Sequence, residues 1–172
     1  MTEDTSNTLT VMHVLEAFAQ RGLELIDIEH ASAHEWRARF DLDGHRLHLP
    51  FDERHGDVFS LELRDAIHLD ERRHPGIALL AGTIVNELHA RVPHVRFVFS
   101  ALNDAASDDT DDVIASELLV SLLFSAPLYG PLDERIVRLF DTGLDALFYA
   151  LARLYDDLAA HGVEAAAAVH TL

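Results

Sequence analysis

Twelve histidines among 172 residues raise metal chemistry first, because neutral imidazole is the commonest protein ligand for transition metals. His30 and His34 have an H-x-x-x-H spacing, which on a helix would set both rings on one face. The stretch EHASAHE lies between strand patterns, however, and has no helical apolar stripe. His45 and His48 are three apart on a strand pattern and so point to opposite faces. His68 and His74 flank a turn, and His89 and His94 flank a helix end. No H-E-x-x-H or comparable motif occurs. These are expected to be surface histidines, with no metal and no cofactor. The alternative is a metal-binding or metal-dependent protein built on them. Exposed histidines gain charge near pH 6.5, so mild acid is expected to reduce the negative charge and alter self-association or partner binding.

The run NDAASDDTDD, Asn103 to Asp112, has five aspartates in ten residues. It lacks the glycine and the distal glutamate of a calcium loop. Its composition suits the wet tip of a hairpin, and the charge keeps the apolar strands beside it soluble. Ser100, Ser116, Ser121 and Ser125 lie in or beside strands, none in G-x-S-x-G, and no Ser/His/Asp arrangement can be assigned. There is no phosphate loop and no G-x-G-x-x-G. Trp36, Arg37, Arg39 and Phe40 interleave on one strand, but alternation sends Trp36 and Phe40 inward and both arginines to a charged face balanced by Glu62. No catalytic residue is assigned, and no enzyme activity is expected.

Composition narrows the function further. Thirteen basic residues, every one Arg, stand against 30 acidic ones, a formal charge of −17. Such a chain repels phosphate backbones, which argues against direct nucleic-acid binding, and it steers in a basic client or basic segment. The absence of Lys removes Schiff-base and phosphate-loop chemistry, and the absence of Cys removes disulfides, thiolate sites and cysteine nucleophiles. The opening MTEDTSNT is unlike a signal peptide. No apolar run approaches the roughly 20 residues of a membrane helix. The expectation is a soluble, cytoplasmic protein.

The elements that carry these residues follow from periodicity. TLTVMHVLEAFAQRG reads as an amphipathic helix ended by Gly22. LELIDIE, EWRARFDL, HRLHLPF and VFSLELRDAIHL read as strands, with Phe40, Leu47, Leu49, Phe51, Phe59, Leu61 and Leu63 inward and Asp43-Gly44 as a hairpin turn. IALLAGTIVNELHARV is a second helix, ended by Pro93. HVRFVFSAL alternates again. VIASELLVSLLF is apolar on both faces: Ile114, Leu118, Val120, Leu122 and Phe124 on one, Val113, Leu119 and Leu123 on the other. A last helix runs from about Pro131 to about Ala160. The pattern predicts one domain over residues 1–172, with frayed tails at 1–7 and 162–172. Its class is α+β: an antiparallel sheet with helices packed on one face, in the order α-β-β-β-(β)-α-β-β-α.

That order resembles the YbjN-like family, which has the fold of type III secretion chaperones. The residues that carry the resemblance are VLEAFAQRGLEL, WRARFDLDGHRLHLPFDERHGDVFSLEL, IALLAGTIVNELHARV leading into VRFVFS, and SELLVSLLFSAPL. They span roughly residues 9 to 160. The resemblance rests on order, spacing and acidic balance. It implies a small, homodimeric, bacterial interaction protein without enzymatic activity, related in fold to chaperones that hold partly unfolded clients on apolar patches.

The residues themselves point the same way through an apolar surplus. Leu119 and Leu123 on the second face of their strand need cover, and so does Leu79 on the second helix. These three are the candidate dimer-interface residues, with cover by the chain's own C-terminal segment as the alternative. The resulting expectation is a non-enzymatic, dimeric, chaperone-like or regulatory module. It would bind one or a few client proteins through apolar and sheet-face surface. A transcriptional or sensory regulator acting through protein contacts is the neighbouring possibility.

Overall fold

The structure, a computed structural model, describes residues 11–23, 25–52, 58–102, 117–128 and 132–167. It is α+β, with an open antiparallel sheet. Helix α1 (Val11–Arg21) precedes four strands, β1 (Leu25–His30), β2 (Glu35–Leu42), β3 (His45–Asp52) and β4 (Val58–Asp70). Then come α2 (Ile77–Arg91), β5 (Val95–Leu102), β6 (Glu117–Pro127), α3 (Leu132–Ala160) and a two-residue β7 (Ala166–Ala167). The spatial order is β1-β2-β3-β4-β6-β5, so β5 and β1 are the two outer strands.

Local chemistry explains the joints. β2 and β3 pair without a slip from Glu35↔Asp52 to Leu42↔His45. Their two-residue turn needs positive φ twice, which Asp43 (52°) and Gly44 (79°) supply. Gly22, at φ 63°, ends α1, and the Leu23 N–H donates back to the Phe18 carbonyl at 3.2 Å. No side-chain cap comes from Gly76 itself at the start of α2. Glu71 takes that role, its carboxylate accepting from the N–H groups of Gly76 (2.5 Å) and Ala78 (3.2 Å).

The helices share one face of the sheet. Val14 and Phe18 of α1, the stripe Ile77, Ala81, Ile84, Val85 and Leu88 of α2, and Ile136, Phe140, Leu147, Leu151 and Leu154 of α3 join the inward strand residues in one cluster. Phe18, Phe40 and Phe140 tie α1, β2 and α3 together, with ring centroids 4.6 to 5.7 Å apart. Ala38, Phe40 and every inward residue from Leu47 to Leu63 are buried, while Trp36 and Leu42, expected on the same face, are half-buried against that core.

The expected frayed tail does not hold for residues 163–167. Val163 is buried, and β7 pairs with β4 through Ile67↔Ala167 and His68↔Ala166. Beyond Leu63 the edge of β4 is left by β3, and β7 takes that vacated edge. Unpaired strand groups beside a core are costly, so the chain's end closes the gap. Residues 1–7 and 168–172 lie outside the described residues, as does the run from Asn103 to Asp112. The strands flanking that run, β5 and β6, do pair antiparallel, from Val95↔Phe124 to Leu102↔Glu117.

Candidate functional site: the uncovered face of the sheet

Alternation leaves a second set of strand side chains on the face away from the helices. Register fixes their rows. One row reads Asp27, Arg39, His48, Glu62, Leu123, Arg96 across β1, β2, β3, β4, β6 and β5. Glu29, Arg37, Pro50 and Ser125 flank it on one side, and Asp41, Arg46, Ser121 and Val98 on the other. The face therefore has two halves. The half from β1 to β4 is charged, and the half on β6 and β5 is apolar with serines.

Charges on this half pair with one another across neighbouring strands. Asp27 pairs with Arg39, Glu29 with Arg37 at 3.7 Å and Asp41 with Arg46 at 3.6 Å. Exposed pairs of this kind contribute about 0–1 kcal/mol each, so they organise the surface more than they stabilise it. Their stems bury His48, which is 5% exposed. Neither ring nitrogen of His48 has a hydrogen-bond partner among the described residues. Burial first, and then the charges of Arg64, Arg37, Arg39 and Arg46, together lower its pKa from 6.5 to about 4. His48 is thus neutral at pH 7. The expectation of a surface histidine is corrected here, because long arginine side chains cover it from the same face.

The charged half also borders a bulge. Register shifts on β4 between Leu63 and Ile67, with Asp65 at φ 48°. Ser121 holds it: its hydroxyl accepts from the Asp65 N–H at 2.9 Å and lies 3.4 Å from the Asp65 carboxylate. This gives the buried Ser121 a structural partner and no nucleophile geometry, since no histidine bonds to it among the described residues.

The apolar half is different. Leu119 and Leu123 are half-buried, and Val98 beside them is 46% exposed. Phe99 lies on the opposite, helix-side face of β5 and is 36% exposed. No helix covers Leu119 and Leu123 among the described residues. Neither does the described part of the C-terminal segment, residues 163–167, because β7 lies in the plane of the sheet beside β4. Leu79 is 78% exposed on α2, in the helix layer on the other side. The structure therefore brings Leu119 and Leu123 together and sets Leu79 apart from them. It adds Val98 to the pair, which sequence reasoning passed over because β5 alternates like an ordinary half-buried strand.

The metal candidates are dispersed. His30 stacks on Trp36 at 4.1 Å, His45 packs edge-on to Phe148 at 5.6 Å, and His68 pairs with Glu117 at 3.1 Å. Among the described residues no three His, Asp or Glu groups converge as metal ligands. An open cleft of about 370 Å³ lies between Trp36, Arg37, Pro50, Phe51 and Val58. No helix of the described residues is long and apolar enough to cross a membrane.

No family model and no curated protein matches this chain. One solved structure is similar, an uncharacterized protein from Methanothermobacter thermautotrophicus. It superposes with a TM-score of 0.55 over 86% of this chain and 98% of that one, at 10% sequence identity. At that identity the likeness is one of fold alone.

Proposed function

We propose that this protein is a non-enzymatic, dimeric protein-binding module of chaperone-like or regulatory type. The observation that supports it is the two-tone face: charge that is paired within the chain on one half, and on the other an apolar patch of exposed Val98 with half-buried Leu119 and Leu123 that no helix or strand among the described residues covers. Exposed apolar groups beside a polar rim are the ordinary composition of a binding surface. The order of helices and strands supports placing it with the YbjN-like family and the type III secretion chaperone-like fold, here with four strands before α2. A second copy is the first partner, and clients with basic segments follow from the −17 charge.

Light scattering across a range of concentrations tests the dimer, and a monomer throughout would overturn it. For the client, wild-type protein and the double variant Leu119→Asp/Leu123→Asp serve as baits in cytoplasmic extract. A set of proteins held by the wild type and lost with the variant is expected. Identical sets, with the variant folded by circular dichroism, would rule out the patch as the client surface.

A further inference from the structure

The two outer strands of the sheet are built differently. β1 carries Asp27 and Glu29, and its register is broken between Leu25 and Asp27. Charge and a bulge are the ordinary means by which a sheet edge avoids pairing with another chain. β5, VRFVFSAL, has no bulge and a single charge. It pairs with β6 continuously over all eight residues. It has no proline and no acidic residue, and Arg96 is its single charge. β5 and β6 together carry only Arg96 and Glu117 as charged residues, in a chain with 30 acidic ones.

The backbone groups on this edge can be assigned. The His94 carbonyl accepts from the Ser125 N–H at 3.4 Å. Alternation then turns the N–H and C=O groups of Arg96, Val98 and Ser100 toward β6, and those of Phe97, Phe99 and Ala101 toward the open edge. No strand takes these up among the described residues.

We infer that β5 pairs antiparallel with β5 of a second copy, with Val98 on the two-fold axis, so that the two sheets become one. This rests on the dimeric reading above and says where that dimer forms. The strand is self-complementary about Val98. In this register Phe97 meets Phe99 of the partner strand, and the two residues exchange both backbone hydrogen bonds. The mirror pair does the same. Arg96 meets a serine, Ser100, and stays clear of its own symmetry mate. Val98 meets Val98 in a pair without hydrogen bonds, where side chains come closest. The contact covers the exposed Val98 and Phe99 while bringing no carboxylate of β5 against another. A two-fold of this kind is also the commonest oligomeric symmetry.

The absence of cysteine makes the test direct. In a pair without hydrogen bonds the Cα atoms stand about 4.5 Å apart, within the range of about 4.4–6.8 Å that a disulfide spans. Val98→Cys is expected to oxidise to a covalent dimer, whereas Leu79→Cys and Leu123→Cys are expected to remain single chains on non-reducing gels. Amide hydrogen exchange of untagged wild-type protein gives a second measurement, in which Phe97 and Phe99 are expected to be protected. Phe99→Asp is expected to raise the dimer dissociation constant at least about tenfold, since charge on an edge opposes pairing. A dimer by light scattering in which Val98→Cys does not cross-link and Phe97 and Phe99 exchange freely would overturn the β5 contact and leave the dimeric reading standing. A monomer at every concentration would overturn both.

Discussion

His48 shows how a position on an uncovered sheet face becomes a buried one. It sits in a row with Arg39 and Glu62, and Arg37, Arg46 and Arg64 surround it. A proton on its ring would be both desolvated and repelled, so its pKa falls from 6.5 to about 4. In the unfolded chain no such penalty exists. Between pH 6.5 and 4 the unfolded state therefore binds a proton that the folded state refuses, and stability is lost as pH falls through that window. Above pH 6.5 the effect vanishes. Each pK unit is about 1.4 kcal/mol, so between pH 8 and pH 5 the loss is at most about 2 kcal/mol, an upper figure because water reaches the arginine cover. His48→Gln, neutral throughout, is expected to lack this part of the acid destabilisation. Urea unfolding of both proteins at pH 8, 6 and 5 measures it, and parallel pH profiles would contradict it. Nothing in the spacing of HRLHLPF showed this residue to be special, because its cover comes from side chains on two other strands as well as its own.

At the scale of the element, two helical glycines are expected to respond in opposite directions. Gly143 lies where α3 crosses β6, and a Cβ there would stand 2.9 Å from Cδ1 of Phe124 and 3.4 Å from a Leu61 methyl. Phe124 is itself 3% exposed and packs on Phe59, so its ring has little room to yield. Gly82 in α2 has nothing within 4 Å of that position among the described residues. Alanine gains about 1 kcal/mol over glycine in a helix interior, and overpacking costs about 1–3 kcal/mol. Gly82→Ala is therefore expected to raise the unfolding free energy by up to about 1 kcal/mol, and Gly143→Ala to lower it by about 1 kcal/mol. Thermal melts of the two variants read the signs, and a stabilised Gly143→Ala would show that α3 does not pack this closely. The elements themselves were legible where the cue is local. Period-two runs and the Asp43-Gly44 turn marked β2 and β3, and the two-faced run marked β6 with Leu119 and Leu123. The bulge at Asp65 was not legible, because its partner Ser121 lies 56 residues away. β7 was not legible either, since EAAAAV favours helix by propensity and the pairing with β4 overrides it. The open edge of β5 depends on the order β4-β6-β5, which chain order does not show.

At the scale of the whole molecule, the net charge and the proposed contact pull against each other. Two copies at −17 each repel, yet the β5 edge brings together backbone groups, Val98, Phe97 and Phe99, with one arginine per chain. The attraction is thus apolar and hydrogen-bonded, while the repulsion is spread over the rest of each surface. Salt screens charges beyond a Debye length of about 10 Å at 0.1 M and about 30 Å at 0.01 M, so at low ionic strength most of the repulsion between copies is felt. Raising the salt removes repulsion and leaves the edge contact intact. The dimer is therefore expected to tighten as sodium chloride rises from about 0.01 M to about 0.15 M, a range over which screening shortens to about 8 Å. Binding of a basic client should move the other way, because its attraction to the acidic surface is the term that salt weakens. Sedimentation equilibrium at several salt concentrations reads the first effect. A dimer that dissociates as salt rises would mean that intermolecular ion pairs, and with them the charged half of the face, hold the two copies together in place of β5.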